Sequence, residues 1–243
     1  MLLRTGAPIR LTFLVFEYRW VILETVANTE SKAGKILCLC VGMPITVVSQ
    51  GREVVTGIFK KPVQGAIKLR KLNLDGDAQA DLTVHGGPDK AVYSYSAEHY
   101  PWWREQMPGF DFEYGQFGEN LTTQNMLESD VCIGDEFQVG TAVIKASQPR
   151  LPCYKLGVRF GRNDVIKRFM QSGFSGIYFS VVQEGELSVG DRIEFLRSDG
   201  LGINVRDVAS LFTGRHMRNP DFIRRALDSQ LADQMKSFIR SLG

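Results

Sequence analysis

From Ile36 onward the apolar positions come in short runs separated by turn residues. The runs over 36–41, 46–49, 53–56 and 66–72 are β-branched or alternate with polar residues, which predicts strands. In the last of these, apolar and basic residues partly alternate, the mark of a half-buried strand. The stretch 73–88 is then rich in Gly, Asp and Asn and poor in apolar residues, so it reads as a long loop of the kind that usually carries function. Strands are expected again over 91–95, 136–139, 142–147, 177–183 and 192–196, with Gly140-Thr141 making a tight turn between two of them. A helix is expected from an N-cap at Ser96 through Gln106, closed by Pro108-Gly109. A second runs from Asn163 to Gln171 and is stopped by Gly173. After the break Asp199-Gly200-Leu201-Gly202 the spacing changes to helical, over 205–212, 219–227 and 231–239, with Asn219-Pro220 supplying a cap and a first-turn proline. Many short strands with close turns favour a β-barrel over a doubly wound sheet, and the three final helices are too short to hold a core of their own.

The N-terminal part behaves differently. Residues 11–27 are apolar, yet Glu17, Arg19 and Glu24 interrupt them, which argues against a membrane span or a secretory signal. The expected division is therefore a flexible extension over 1–35, a barrel domain over 36–198 and a short helical domain over 199–243. A formal net charge of +2 carries no nucleic-acid footprint, so no nucleic acid and no membrane is expected as partner.

The four cysteines are Cys38, Cys40, Cys132 and Cys153. No pair has the spacing of a zinc or thioredoxin-like site. Cys38 and Cys40 would share one face of a strand, where a disulfide between them would be strained. Free thiols fit a reducing, cytoplasmic setting, and Cys132 is expected in the core.

Four clusters bear on chemistry. In the first, the loop around Asp75, Asp77 and Asp81 leads to Val84-His85-Gly86-Gly87-Pro88-Asp89-Lys90. Paired glycines let backbone N–H groups approach an oxyanion, with His85 and Lys90 adding charge, although by themselves they fit a plain surface turn better. In the second, Phe117-Gly118-Glu119-Asn120, Glu119 and Asn120 stand between a glycine turn and a strand-like segment. They either point into a cleft or bond nearby backbone, the commoner use. The third is Gln148-Pro149-Arg150-Leu151-Pro152-Cys153-Tyr154. Two prolines stiffen the approach to Cys153, and a thiol near a guanidinium or at a helix start becomes a nucleophile or a soft-metal ligand; the other reading is a buried cysteine acting as a small hydrophobe. In the fourth, Gly134-Asp135 and Gly190-Asp191 each precede an alternating strand and read as turn chemistry.

Taken in this order, these clusters resemble the MOSC domain, the family related to the C-terminal domain of molybdenum cofactor sulfurase. The branch they most resemble is that of the bacterial N-hydroxylaminopurine resistance proteins. The resemblance covers roughly Ile36 to Leu196. It implies a mainly β fold with some α: a MOSC-type β-barrel, in a PK-like arrangement, followed by a small helical bundle. It also implies that Cys153 is the ligand to molybdenum or the carrier of its sulfur. The cleft for the molybdenum cofactor (molybdopterin) would be lined by His85, Gly86, Gly87, Lys90, Phe117, Gly118, Asn120 and Arg150, with Glu119, Asn120 or His85 orienting substrate or relaying protons.

The activity so implied is an oxidoreductase that reduces N-hydroxylated compounds, such as hydroxylaminopurines and amidoximes, and so detoxifies N-hydroxylated bases. No flavin, haem or iron–sulfur motif is present, so electrons would come from an external donor protein, a flavin or iron–sulfur reductase. The alternative is a carrier or sulfur-transfer module working through a Cys153 persulfide. A third reading, a barrel with a structural cysteine and an unrelated ligand, fits the coincidence of ordered motifs poorly. Pyridoxal phosphate is not expected: its association with relatives belongs to the fused desulfurase of larger proteins, and Lys90 is a weak candidate to hold it. The C-terminal helices would dock on the barrel, meet a second subunit in a homodimer, or receive the redox partner; the sequence does not choose among these.

Overall fold

The computed structural model describes residues 33–81, 86–213 and 219–241. The extension expected over 1–35 lies outside them up to residue 32, and so does His85; the first strand already begins at Gly34. Seven strands close into a mixed barrel. They are β1 (Gly34–Val41), β6 (Val92–Ser96), β7 (Leu121–Gln124), β8 (Glu136–Val139), β9 (Ala142–Pro149), β10 (Ile177–Gln183) and β12 (Arg192–Arg197). The order around the barrel is β12-β8-β9-β10-β6-β7-β1, and β1 returns to β12 through Gly34 and Ile193, so the sheet keeps no open edge there. The short strand β4 (Lys61–Pro62) extends the end of β1. Two separate ribbons are formed by β2 (Ile45–Ser49) with β3 (Arg52–Thr56), and by β5 (Ile67–Leu69) with β11 (Gly185–Leu187).

The alternation read from the sequence is what fills the barrel. Ala142, Ile144 and Ala146 of β9 and Ile177, Phe179 and Val181 of β10 point inward at period two, against Ile36, Leu39, Phe137 and Ile193. The two Gly-Asp turns behave as expected. Each aspartate accepts from the backbone N–H three residues earlier, Asp135 from Cys132 at 2.8 Å and Asp191 from Ser188 at 2.7 Å. Gly134 and Gly190 supply the left-handed backbone of these turns, φ 84° and 95°. Cys132 itself is half-buried at the turn rather than in the core.

Strands β6 and β7 run parallel, so the chain must cross over between them. It does so through a 3-10 turn (Ala97–His99), helix α1 (Tyr100–Gln106) and the loop to Asn120. Ser96 ends β6, and its hydroxyl donates to Glu98 instead of capping a helix. This crossover, with helices α2 (Tyr154–Phe160) and α3 (Asp164–Ser172), covers a second, aromatic core outside the barrel. Tyr95 stacks on Phe117 at 4.4 Å, and the Trp103 indole N–H donates to the Tyr95 hydroxyl at 2.7 Å. All five residues of β6 are buried because both of its faces are covered.

Three helices follow the barrel: α4 (Val205–Leu211), α5 (Pro220–Asp228) and α6 (Asp233–Arg240). Asn204 and Asn219 cap the first two through their side-chain oxygens. Val208, Leu211, Phe222, Ala226, Met235 and Ile239 join the same apolar core as the barrel strands. Among the described residues, no helix is long and apolar enough to cross a membrane.

Candidate functional site

The segment after β9 carries the candidate cysteine. Pro149 ends the strand and Pro152 fixes the next turn, so the chain leaves the sheet between them. Arg150 turns inward to 7% exposure, while Leu151 stays 37% exposed. Cys153 is half-buried and extended (φ −119°, ψ 176°) immediately before α2. The Arg150 guanidinium lies over the Tyr93 ring at 4.8 Å and donates to the Phe117 carbonyl oxygen. Among the described residues, no carboxylate lies within ion-pair range of it.

Arg150 and Cys153 form one wall of a cleft. The opposite wall comes from the end of β3 and the loop after it, packed against the loop 77–80. These approach so closely that a Cβ at Gly57 would stand 2.5 Å from the Ala78 carbonyl oxygen. Tyr93 and Tyr178, with ring centroids 5.0 Å apart, form the apolar floor, and burial holds both phenols above their ordinary pKa. Among the described residues, Lys60, Lys90, Arg150 and Lys155 face this cleft, against a single carboxylate, Asp77.

That carboxylate is already engaged. It accepts from the Lys60 ammonium, from Gly42 N–H at 2.8 Å and from Asn120 Nδ2 at 2.9 Å. The cleft is therefore electropositive, with walls that suit an anion. Lys90 ends the 3-10 turn Pro88–Lys90 and donates to Gln234 Oε1 at 3.0 Å. Burial pushes its pKa down, partly offset by Asp89. Gln79 also lines the cleft, and its Oε1 is buried without a hydrogen-bond partner among the described residues.

The structure brings together five of the residues expected from sequence: Lys90, Gly118, Asn120, Arg150 and Cys153 all line this cleft. Four others stand elsewhere. The Phe117 ring is fully buried in the aromatic core, so it lines no cofactor space. Glu119 is fully buried too. It accepts from Tyr100, from Gly115 N–H at 2.8 Å, from Phe117 N–H at 3.0 Å and from Thr122 Oγ1 at 3.1 Å. With four donors on it and no face on the cleft, Glu119 braces the 115–122 turn rather than meeting substrate. Gly86 and Gly87 sit behind the 3-10 turn and do not line the cleft; Gly87 accepts from Lys90 N–H. Asn120 reaches the cleft wall but is itself a brace. Its Oδ1 accepts from Tyr93 N–H at 3.1 Å, and its Nδ2 donates to the Cys40 carbonyl and to Asp77.

Lys60, Asp77, Gln79, Tyr93, Lys155 and Tyr178 complete the cleft and are not among the residues that the sequence motifs single out. Asp77, Gln79 and Lys155 fall inside or beside those motifs. The others carry no local signal, because they meet only through the barrel register, as where Tyr178 pairs with Tyr93.

Among the described residues, no cluster of three or more His, Cys, Asp or Glu side chains could hold a metal ion.

The chain is similar to several known proteins. The MOSC domain family model matches residues 81–194. An uncharacterized Bacillus subtilis protein, YflK, is 44% identical over 171 residues, 70% of this chain and 77% of its own length. A Gibberella moniliformis protein named Reductase is 34% identical over 180 residues, 71% of this chain but only 32% of that larger protein. Among solved structures, YiiM from Geobacillus stearothermophilus superposes with a TM-score of 0.72 at 29% identity, covering 86% of this chain and 98% of that one.

Proposed function

Since this chain belongs to the MOSC domain family, we propose that it binds the molybdenum cofactor through Cys153 and reduces N-hydroxylated compounds. The observation that carries this reading is the position of Cys153, a thiol on the wall of a cleft with four cations and one already paired carboxylate. A pyranopterin cofactor has an anionic phosphate, a donor-bearing heterocycle and a soft metal held by a dithiolene. The residues present fit each part. Arg150 and Lys155 match the phosphate, the orphaned Gln79 Oε1 matches a ring N–H, and the Cys153 thiolate matches a soft metal whose other ligands come from the cofactor.

When bound, the cofactor supplies two-electron exchange and a place for the departing oxygen. The rest falls to the chain. The Tyr93–Tyr178 floor excludes water from one side, and Asp77 and Asn120 hold the two walls in register. Lys90 lines the cleft together with Cys153, and its lowered pKa makes its ammonium the better proton donor to the oxygen that leaves. The net reaction is R–NHOH + 2 e⁻ + 2 H⁺ → R–NH₂ + H₂O, with electrons from a separate flavin or iron–sulfur protein.

The name of the Gibberella relative, Reductase, supports the reaction class. The test is turnover: cofactor-loaded protein with a reduced viologen, a hydroxylaminopurine and benzamidoxime as substrates, and the amine read by chromatography. Amine formation lost in Cys153→Ala is the expected result. Loaded protein that converts neither substrate, but accumulates a persulfide on Cys153 with a cysteine desulfurase, would replace the reductase by a sulfur carrier.

A further inference from the structure

Cys38 and Cys40 lie on β1, outside the lining of the cleft but next to residues that brace it. Residues two apart in a regular strand share a face, with Cα atoms about 6–7 Å apart. Here β1 is bulged: Ile36 pairs with Thr123 and Cys38 with Thr122, so Leu37 is an extra residue and the strand bends. The two sulfurs beside this bend converge to 3.6 Å. Their surroundings differ. Cys38 is half-buried, whereas Cys40 is fully buried, and Gly115 packs so closely on it that a Cβ there would stand 3.0 Å from the sulfur. The hydrogen bond between the thiols holds Cys38 below the ordinary thiol pKa and, together with burial, holds Cys40 above it. An accessible thiolate beside a buried, protonated thiol is the arrangement of an oxidisable dithiol.

We propose that Cys38 and Cys40 form an oxidation site for hydroperoxides, which closes to an intrachain disulfide and loosens the neighbouring cleft wall. The proposal stands apart from the reductase reading. In the first step the Cys38 thiolate attacks one peroxide oxygen. The O–O bond breaks, an S–O bond forms, and the other oxygen takes a proton from solvent and leaves as water. In the second step the Cys40 sulfur attacks the sulfur of the resulting sulfenic acid. The S–S bond forms, the S–O bond breaks, and the Cys40 proton leaves with that oxygen as a second water. Two electrons pass from the sulfurs to the peroxide. Closing the sulfurs from 3.6 Å to about 2.0 Å must shift the 38–40 backbone. That backbone is tied to the cleft wall. Cys40 N–H donates to the Asn120 carbonyl at 2.7 Å, and the Cys40 carbonyl accepts from Asn120 Nδ2 at 3.2 Å, the same amide that donates to Asp77. A bridge between residues two apart in a strand is strained and so readily reduced by thiols, which makes the change reversible.

The test treats reduced, full-length protein with hydrogen peroxide, alkylates the remaining thiols with iodoacetamide and digests with trypsin. Cleavage after Lys35 and Arg52 leaves both cysteines in one peptide, 36–52. In the wild type this peptide should become lighter by two hydrogens and refuse alkylation, and dithiothreitol should restore both thiols. Cys40→Ala should stop at the sulfenic acid on Cys38, trapped by dimedone. If Cys40→Ala does not fold, Cys38→Ser, at the half-buried position, should form no disulfide in the peptide. Amide hydrogen exchange over 118–122 should speed up about tenfold in the oxidised wild type and stay unchanged in peroxide-treated Cys38→Ser. A 36–52 peptide that keeps both thiols while Cys132 or Cys153 is oxidised would overturn the site, as would sulfinic acid on Cys38 without a disulfide. A disulfide that leaves exchange over 118–122 unchanged would overturn the link to the cleft.

Discussion

Glu119→Gln replaces one oxygen of a fully buried carboxylate with an amide nitrogen, and the structure specifies what each atom would meet. Oε1 takes Tyr100, Gly115 N–H and Thr122, so it must stay an oxygen; Oε2 takes only Phe117 N–H. The new Nε2 would then face the Phe117 amide, donor against donor. One buried donor loses its acceptor and the other three bonds lose charge assistance, a cost of about 3 kcal/mol in all. For a chain of 243 residues, that is a fall in Tm of about 6–12 °C. The assays are thermal unfolding by near-ultraviolet circular dichroism and reductase turnover well below the transition. A brace predicts a clear loss of stability with kcat kept within about threefold. An unchanged Tm with turnover down by more than about a hundredfold would mark a proton-transfer group and refute the reasoning.

Asn120→Asp would set a second carboxylate against Asp77 in a buried site, and should cost about 2–4 kcal/mol near neutral pH. The charge of Asp77 opposes ionisation of the new carboxyl, so the deficit should shrink as pH falls; denaturant midpoints that differ from wild type equally at pH 5 and pH 8 would contradict this. Gly118→Ala puts a Cβ at φ +76° only 2.7 Å from the Ile58 side chain, and should lower stability by roughly 1–3 kcal/mol, read from the urea midpoint. Cys38 and Cys40 lie with sulfurs 3.6 Å apart. The hydrogen bond from Cys40 lowers the Cys38 pKa and raises that of Cys40. A short iodoacetamide pulse should therefore label Cys38 ahead of Cys40, and Cys40→Ala should move the Cys38 labelling profile to higher pH; an unmoved profile would count against that bond.

The barrel was legible because its strands alternate. β9 and β10 show their inward residues at period two, and the Gly-Asp turns announce themselves twice. Helix α2 was not legible. Its run Tyr154-Lys155-Leu156-Gly157-Val158-Arg159-Phe160 contains a glycine and mixed propensities, and only Leu156 and Phe160 keep helical spacing. Gly157 is there for space, since a Cβ would lie 2.8 Å from the Asn163 side-chain oxygen.

Motif reading singled out Cys153, Arg150 and Lys90, which the fold places along one cleft. It overreached at Phe117 and Glu119, because a motif marks a segment that must hold its shape and does not say which side chains face the ligand. Lys60, Gln79, Tyr93 and Tyr178 come from four separate stretches, and only the barrel register and the folding back of the 73–81 loop bring them together.

The central claim is that Cys153 holds a molybdenum cofactor in the cationic cleft. Its most direct test is metal and pterin analysis of protein expressed in a host that makes the cofactor, wild type beside Cys153→Ser, with folding checked by circular dichroism. The account predicts molybdenum and pterin together in the wild type, and molybdenum lost from the folded variant. Equal molybdenum in both proteins, or none in a folded wild type, would contradict it.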